Sequence, residues 1–336
     1  MRLGLYIARR LLMLAPVLVG VSIFCFLLIR VLPGDPVLAI VPETATPEDI
    51  ERTRARYGLD RPLPEQYGAY MAGVIRGDFG DSIRTGRPVV EQIGERLPRT
   101  LELVALGFLL SLGASIVLGL FAALHAGRLG DHVSRVTALV ANSLPEFWLG
   151  LVLILVFFAI LDIAPGPTGR IATGIDYEII TGSLIVDSIF TGNPRALVSA
   201  LHHLVLPVLT LAVIVVAPMM RSVRASALEV MRSDSYRCAL AHGLGAKTLL
   251  FGYVLRETMV RVPVLAALVL GNLIGGSVLV ETVFSWQGFG QWALRGLLLR
   301  DYPVIQAYVL VTASFYVVAF LVADIVQAAL DPRIRV

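Results

Sequence analysis

The most distinctive chemical group in the sequence is a carboxylate inside an apolar stretch. Glu146 follows Asn142, Ser143 and Pro145 within the apolar run 136–160. An acid near the middle of such a run is costly to bury and usually faces a cavity or a polar partner. We interpret Glu146 as a residue that lines a solute path and favours cationic or amino-bearing solutes. The alternative is a carboxylate held by Asn142, Ser143 or backbone donors that Pro145 frees.

Two further polar side chains belong to a later apolar run, 262–284. Asn272 is its only strongly polar residue at depth, and Glu281 lies near its end. Both are candidates for the same path. Gly271 and Gly275 flank Asn272 with a spacing that allows two helices to pack closely, so packing outweighs transport as the role of this glycine pair.

The chain lacks the patterns of an enzyme. Residues 243–248 (GLGAKT) resemble a phosphate-binding loop, but that loop requires glycine where Ala241 and Ala246 stand. His202 and His203 are adjacent and point to different faces of a helix, which argues against a shared metal site. No HExxH, CxxC or nucleophile elbow occurs. We therefore expect no catalytic residue, no metal site and no cofactor in this chain.

Composition places these residues in a membrane protein. The 336 residues are 57% hydrophobic and 16% charged, whereas soluble domains carry about 25% charged residues. The net charge is +3, and every basic residue except Lys247 is arginine. This balance indicates contact with membrane lipids and not with nucleic acid. Cys25 lies in an apolar run and Cys238 in a polar one, so a disulfide is not expected.

Apolar runs long enough to cross a bilayer core of ~30 Å recur along the chain. The sequence predicts an all-α polytopic membrane protein with six transmembrane helices. The first is too long for the ~7–15-residue core of a signal peptide, so it is expected to stay uncleaved. The predicted spans are 11–29, 101–123, 136–160, 204–220, 262–284 and 304–323.

The chain divides into three parts. Residues 1–30 hold the N-terminus and first span, 31–100 form a long folded outer segment, and 101–336 form the core. Thr46 and Pro47 mark a helix start in the outer segment, and a second outer segment is expected at 161–203. Short loops and termini place fourteen Lys/Arg on one side and four on the other (Arg170, Arg195, Arg295, Arg300). This bias predicts cytoplasmic N- and C-termini.

The cytoplasmic loop 221–263 is polar, basic and rich in helix formers. Ser233 and Asp234 favour a helix start, and a short helix is expected through Tyr236 and His242. Gly243 then suits a left-handed helix end. A second helical run is expected over 246–256, which makes the loop a compact helix–glycine–helix unit.

These residues resemble a known motif. Asp234 followed by Ala239-x-Ala241-x-Gly243 is similar to the cytoplasmic "EAA" loop of ATP-binding-cassette (ABC) importer permeases. The resemblance implies that the loop docks into an ATP-hydrolysing subunit. Cys238 and His242 depart from the family pattern, and Tyr236 is offset from its usual tyrosine. The implied coupling residues are Asp234, Arg237, Ala239, Ala241, Gly243 and Leu244. The alternative is an ordinary helical hairpin.

Other strings resemble the dipeptide/oligopeptide branch of that family. They are PGDP (33–36), GLDRPLPEQY (58–67), the GD.G.S...GRPV pattern (77–89), ETVFSWQGFG (281–290) and RDYP (300–303). A proline is more usual where Gln287 stands.

The resemblance implies a type I importer permease in the bacterial inner membrane. It would pair with a second homologous permease, two ATPase subunits that bind ATP and Mg, and a periplasmic solute-binding protein. The outer segment 31–100 would help to receive that protein, or would serve only as a spacer. The substrate, among peptides, nickel and other small solutes, stays open.

A different class of function is an ion-gradient-driven secondary transporter. Such proteins carry intramembrane carboxylates or broken helices in corresponding halves of the chain. Glu146 is the only deep acid in this sequence, and no repeated halves are evident. An intramembrane enzyme would require a catalytic constellation that is missing here.

Overall fold

The structure is a computed structural model that describes residues 3–31, 37, 41, 44–56 and 59–330. These residues form α-helices joined by turns, with one isolated β-bridge between Asp81 and Pro88. Two π-helical stretches, Ile154–Ile160 and Leu249–Leu255, continue neighbouring α-helices. In chain order the α-helices are α1 (Leu3–Val31), α2 (Pro47–Arg56), α3 (Leu63–Ile75), α4 (Val89–Leu124), α5 (Leu129–Ser143), α6 (Glu146–Leu153), α7 (Leu184–Phe190), α8 (Pro194–Arg232), α9 (Asp234–Ala241), α10 (Ala246–Thr248), α11 (Arg256–Met259), α12 (Val262–Val283), α13 (Phe289–Leu298) and α14 (Tyr302–Leu330).

Four helices are long and apolar enough to cross a membrane, namely α4, α8, α12 and α14. If the bent pair α5–α6 is counted as one span, the number of candidate spans rises to five by length and composition. The apolar part of α1, Leu12–Leu27, is shorter, and α1 continues straight through Pro16 as one helix. The helical class of the fold is confirmed, while the count of six spans stays a prediction.

The predicted third span, 136–160, is wrong as a single helix. α5 and α6 meet at an angle of 102°. Leu144 has the extended backbone (φ −82°, ψ 133°) that a following proline imposes, and Pro145 has no N–H to continue the helical ladder. The break therefore starts α6 at Glu146, so this carboxylate lies in the first turn of a helix.

The predicted fourth span, 204–220, is too short at both ends. α8 runs for 39 residues through Pro207 and Pro218, which corresponds to about 58 Å. Asn193 caps its start by accepting a hydrogen bond from the Ala196 N–H at 3.1 Å. The stretch 221–232 contains strong helix formers and no glycine. The first part of the predicted loop is thus a continuation of the helix.

Small residues let α4 lie close to α8. A methyl group at Gly119 would come within 2.7 Å of Val223, and one at Gly107 within 3.1 Å of Leu211. Leu103, Leu211 and Ile274 are buried where α4, α8 and α12 meet. Close backbone approach of this kind is the usual basis of helix association in membranes.

The outer segment is attached to the core at its C-terminal part. Asp301 is buried and accepts hydrogen bonds from the Ser82 hydroxyl (2.5 Å) and the Ile83 N–H (3.2 Å). Thr46 begins α2 as predicted, because its hydroxyl accepts from the Asp49 N–H at 3.3 Å. The PGDP string (33–36) lies outside the described residues, as do residues 331–336.

The second outer segment contains α7, which has only seven residues and does not span. Asp187 within it accepts hydrogen bonds from the Thr181 N–H (2.7 Å), the Thr181 hydroxyl (2.6 Å) and the Gly182 N–H (3.1 Å). Burial raises the pKa of Asp187, but these donors favour the carboxylate more strongly, so the pKa lies below its usual value. The hydrogen bonds to this carboxylate stabilise the turn that precedes α7.

Candidate functional site

The predicted short helix of the coupling loop (residues 221–263) is present as α9. Ser233 caps its start, since the Ser233 hydroxyl accepts a hydrogen bond from the Tyr236 N–H at 3.3 Å. The same residue ends α8, and its hydroxyl donates to the Val230 carbonyl at 2.6 Å. One serine therefore forms the joint between the long helix and the short one.

Gly243 ends this unit in the conformation that the sequence predicts. Its φ is +73°, in the left-handed region, and its N–H donates to the Leu240 carbonyl at 3.0 Å. No other atom lies within 4 Å of the place that a Cβ would take. A larger residue is therefore opposed by the backbone conformation and not by a neighbouring side chain. The second helical run is also confirmed, since α10, a π-helical stretch and α11 continue from Ala246 to Met259.

The coupling residues do not all face outward. Ala239, one of the implied coupling residues, is 5% exposed and packs against its own chain, so it does not share an exposed face with Ala241. The reason is geometric, because residues two apart point to different sides of a helix. Ala241 and Leu244 are exposed, as are Asp234 and Arg237, which lie 3.9 Å apart. Leu240, with 56% exposure, is an apolar member of this face that the sequence did not single out.

The base of the loop is held by packing and by one ion pair. Val230 and Val254 are buried together beneath α9, with Tyr236 packed against them. Arg261 forms a two-pronged ion pair with Glu229, including one contact of 2.8 Å. Both side chains are half exposed or more, so water screens the pair and it contributes little to stability. Apolar packing does most to fix the loop on the helices.

Glu146 lies at the α5–α6 break beside Gly276 of α12. Its Oε2 atom is buried and has no hydrogen-bond partner among the described residues. The two carboxylate oxygens lie 3.2 and 3.4 Å from the place that a Cβ of Gly276 would take. Ser143 donates instead to the Leu139 carbonyl at 2.9 Å, and no bond from Asn142 reaches the carboxylate. The alternative that these two residues hold Glu146 is therefore not supported.

Asn272 lies on an exposed face of α12. Its Oδ1 atom accepts a hydrogen bond from the Tyr316 hydroxyl at 2.5 Å. Gly271, its neighbour, faces the Tyr316 ring so closely that no Cβ would fit, whereas Gly275 has open space around it. The predicted close packing through this glycine pair is thus confirmed for Gly271 and wrong for Gly275.

Glu281 is fully buried at the other end of α12. Its carboxylate accepts hydrogen bonds from the Thr100 hydroxyl (2.5 Å), the Gln291 N–H (2.8 Å) and the Ser277 hydroxyl (3.3 Å). A Cβ at Gly288 would lie 2.5 Å from the Thr100 hydroxyl and 2.7 Å from this carboxylate. The carboxylate is enclosed in this conformation, and its place on a solute path stays a prediction.

Sequence analysis missed two buried ion pairs. Glu102 accepts from Arg170 at 2.6 Å and also from the Ser183 hydroxyl and the Ile185 N–H, each at 2.8 Å. Asp131 accepts two hydrogen bonds from Arg224, both at 2.7 Å. The partners are 68 and 93 residues apart, so local spacing carries no signal for either pair.

The histidine pair and residues 243–248 have separate surroundings. No group of three His, Cys, Asp or Glu side chains in the described part of the chain could hold a metal ion. His202 contacts the Ile163 carbonyl and His203 the Ser199 carbonyl, so the two rings have different neighbours. Residues 243–248 form a turn and the short α10 on the surface of the coupling loop.

Comparison with known proteins places this arrangement in a family. The family described as "Binding-protein-dependent transport system inner membrane component" matches residues 115–336. The chain belongs to it. Residues 3–104 match the companion description "Binding-prot-dependent transport system membrane comp, N-term". The two matches together cover the whole outer segment (31–100) and all of the helical core up to residue 330 except residues 105–114 of α4.

Members of the binding-protein-dependent transport family match the chain over nearly its full length. The "Probable D,D-dipeptide transport system permease protein DdpB" of Escherichia coli (strain K12) is 37% identical over 95% of this chain and 94% of its own. The "Di/tripeptide transport system permease protein DppB" of Pseudomonas aeruginosa is 36% identical, with 98% of each chain covered. The "Oligopeptide transport system permease protein AppB" of Bacillus subtilis is 36% identical over 98% of this chain and 99% of its own.

Membership in the binding-protein-dependent transport family confirms the interpretation drawn from the coupling loop. The chain is a permease subunit of an ABC importer, embedded in a membrane, and not an ion-gradient-driven transporter. Its relatives are transport permeases, in agreement with the expectation that the chain is not an enzyme. Such permeases generally work in a complex with a second permease, ATPases and a solute-binding protein.

Proposed function

We propose that this permease carries peptides or similar small solutes across the bacterial inner membrane. The observation that supports it is the set of relatives, because each of those named above is a permease of a dipeptide, tripeptide or oligopeptide system. Each match extends over at least 95% of this chain. A second, homologous permease would enclose the path together with this one.

In this proposal the coupling loop receives one of two separate ATPase subunits. Ala241, Leu244 and Leu240 offer a small apolar surface, and Asp234 and Arg237 flank it with charge. An apolar centre with a polar rim is the usual anatomy of a protein interface. ATP and Mg are expected in the ATPase subunits, and no cofactor is expected in this chain.

The solute path is proposed to pass Glu146 and Asn272. A buried carboxylate oxygen without a partner is costly, and a ligand with an N–H donor would relieve that cost. The amino group of a peptide is such a donor, so Glu146 would favour amino-bearing solutes. In this proposal both termini would lie in the cytoplasm and residues 31–100 in the periplasm, where they would help to receive the solute-binding protein.

The test is uptake into vesicles reconstituted with the purified permease pair, the ATPases and the solute-binding protein. We expect a labelled dipeptide to accumulate only when ATP is enclosed with the ATPases, and an ionophore to leave the initial rate unchanged. Omitting the binding protein should abolish uptake. Accumulation that follows an imposed ion gradient without ATP would refute the proposal.

Native cysteines allow a separate test of the docking surface. Cys238 on α9 is exposed and Cys25 is buried, so a maleimide should label the coupling loop selectively. We expect the ATPase to protect Cys238 from labelling in the assembled complex, and dissociation of the ATPase to restore it. Cys238→Ser gives the background. Equal labelling with and without the ATPase would place the docking surface elsewhere.

A further inference from the structure

A cavity of about 390 Å³ lies between α5 and α8. Arginine dominates its walls, which are formed by Arg135, Val136 and Leu139 of α5 and by Arg221 and Arg224 of α8. No acidic residue lines it. Three guanidinium groups around one cavity repel each other unless an anion is present.

Only one of these arginines is neutralised within the chain. Arg224 donates two hydrogen bonds to Asp131, which is 1% exposed and also accepts from the Gly127 N–H at 3.0 Å. This pair holds α5 against α8. Arg135 and Arg221 are exposed, and neither makes a hydrogen bond or an ion pair with any residue that the structure describes. The cavity therefore presents two guanidinium groups, of Arg135 and Arg221, whose N–H donors have no hydrogen-bond partner among the described residues.

The side of the cavity on α5 continues into an apolar surface. Leu129, Val133, Val136 and Val140 are each more than half exposed, and their spacing places them in one row along the helix. Val136 belongs both to this row and to the wall of the cavity. A ligand that fits both features has an anionic head and an apolar tail.

We propose that this cavity binds the headgroup phosphate of an anionic membrane phospholipid. Arg135 and Arg221 donate to the phosphate oxygens, since guanidinium groups bind phosphate through paired N–H donors. The acyl chains lie along the apolar row of α5. Basic pockets between membrane helices are known sites for anionic lipid heads on the cytoplasmic side. Lipid binding here is separate from transport, so it can be measured whether or not the proposed solute is right.

The test is lipid retention by the purified, detergent-solubilised permease–ATPase complex, followed by native mass spectrometry during titration with phosphatidylglycerol or phosphatidylcholine. We expect phosphatidylglycerol to bind at least fivefold more tightly than phosphatidylcholine. Arg135→Gln and Arg221→Gln should each weaken phosphatidylglycerol binding about fivefold, and the double variant more. Arg135→Lys with Arg221→Lys should retain most of the preference, because the charge remains.

Arg232→Gln is the matched control, because Arg232 is an exposed arginine of α8 that does not line the cavity. Its phosphatidylglycerol affinity should equal that of the wild type, and the mass of every variant complex in the same spectra should confirm that the complex is intact. The proposal is overturned if the double glutamine variant binds phosphatidylglycerol as the wild type does, or if both lipids bind equally. It is also overturned if inorganic phosphate alone displaces the lipid at equal concentration, since the cavity would then be a site for a soluble anion.

Discussion

At the scale of single residues, the most informative one is Glu146, because its carboxylate starts a helix at a break and faces a glycine. A glutamine at this position has the same shape but no charge. We expect Glu146→Gln to assemble normally and to reduce the uptake of amino-bearing peptides about tenfold, because the glutamine oxygen still accepts a hydrogen bond but no longer contributes a charge to it. Uptake of labelled dipeptide into vesicles measures this.

The control for this prediction is Glu178→Gln, an exposed acid of the second outer segment that should behave like the wild type. Peptides with an acetylated amino group serve as a second comparison, since they should lose less than free peptides do. Unchanged uptake kinetics at normal expression would remove Glu146 from the path.

Gly276 gives an independent probe of the same carboxylate. A methyl group there would lie 3.2 and 3.4 Å from the two Glu146 oxygens, which is too close without a shift of the side chain. We therefore expect Gly276→Ala to lower peptide uptake without reducing the amount of complex. Gly275→Ala is the neighbouring control, because no atom lies within 4 Å of its added methyl group. Equal uptake by the two variants would contradict the prediction.

The sequence could predict Glu146 as a deep acid, but not what surrounds it. The pairing with Gly276 depends on the 102° break, and a single apolar run does not reveal the angle between its halves. The burial of Glu281 could not be predicted either, because its hydrogen-bond donors come from positions as distant in sequence as Thr100. Contacts between distant parts of the chain are set by packing, which local pattern does not encode.

At the scale of elements, the coupling loop is the clearest case for a test of shape. Gly243 has a φ of +73°, and a non-glycine residue there costs about 1–2 kcal/mol, with more strain for a β-branched one. We expect Gly243→Val to retain normal membrane levels, to bind the ATPase weakly and to lose solute-stimulated ATP hydrolysis. Subunit retention and stimulated hydrolysis of the purified complex measure both effects.

Gly245→Val is the comparison for that variant. Gly245 also has open space around it, but its φ of −64° and ψ of 153° suit any residue. It should therefore keep both ATPase association and stimulation. If Gly243→Val matches the wild type in both measurements, the loop is not the coupling element.

The turn before α7 offers a prediction about pH. Asp187 has a pKa below its usual value, so its charged form stabilises the folded turn. This stabilisation is present above the unfolded pKa of about 3.9 and is lost as the pH falls through the lower folded pKa. We expect backbone amides of residues 181–187 to lose hydrogen-exchange protection below about pH 4. Asp187→Asn should lack this transition and show weak protection at all pH values, whereas a wild-type profile without the transition would contradict the assignment.

The elements themselves were largely predictable. The helix start at Ser233, the left-handed Gly243 and the helix over 262–283 follow from capping residues, glycine and apolar length. The ends of α8 could not be predicted from these signals. Pro207 and Pro218 resemble helix boundaries in sequence, but both are tolerated inside this helix.

At the scale of the whole molecule, one chain with up to five identified spans and no ATP site is expected to work only in an assembly. We predict that the intact detergent complex contains this chain, one homologous permease, and two ATPase subunits. The mass of the complex, measured by native mass spectrometry, tests this. A stable monomer that transports a peptide unaided would refute this prediction. A complex that contains two copies of this chain would refute the proposal that the second permease is a different, homologous protein.

One helix connects the two ends of this molecule. α8 begins at Pro194 in the second outer segment and ends at Arg232, and the next residue, Ser233, caps the start of α9. α8 therefore connects the second outer segment directly to the surface that is proposed to receive the ATPase. We expect a rotation at that surface to tilt α8 as a whole, because no loop interrupts the helix between Pro194 and Arg232. Spin labels placed at the two ends should accordingly report one motion with one rate constant.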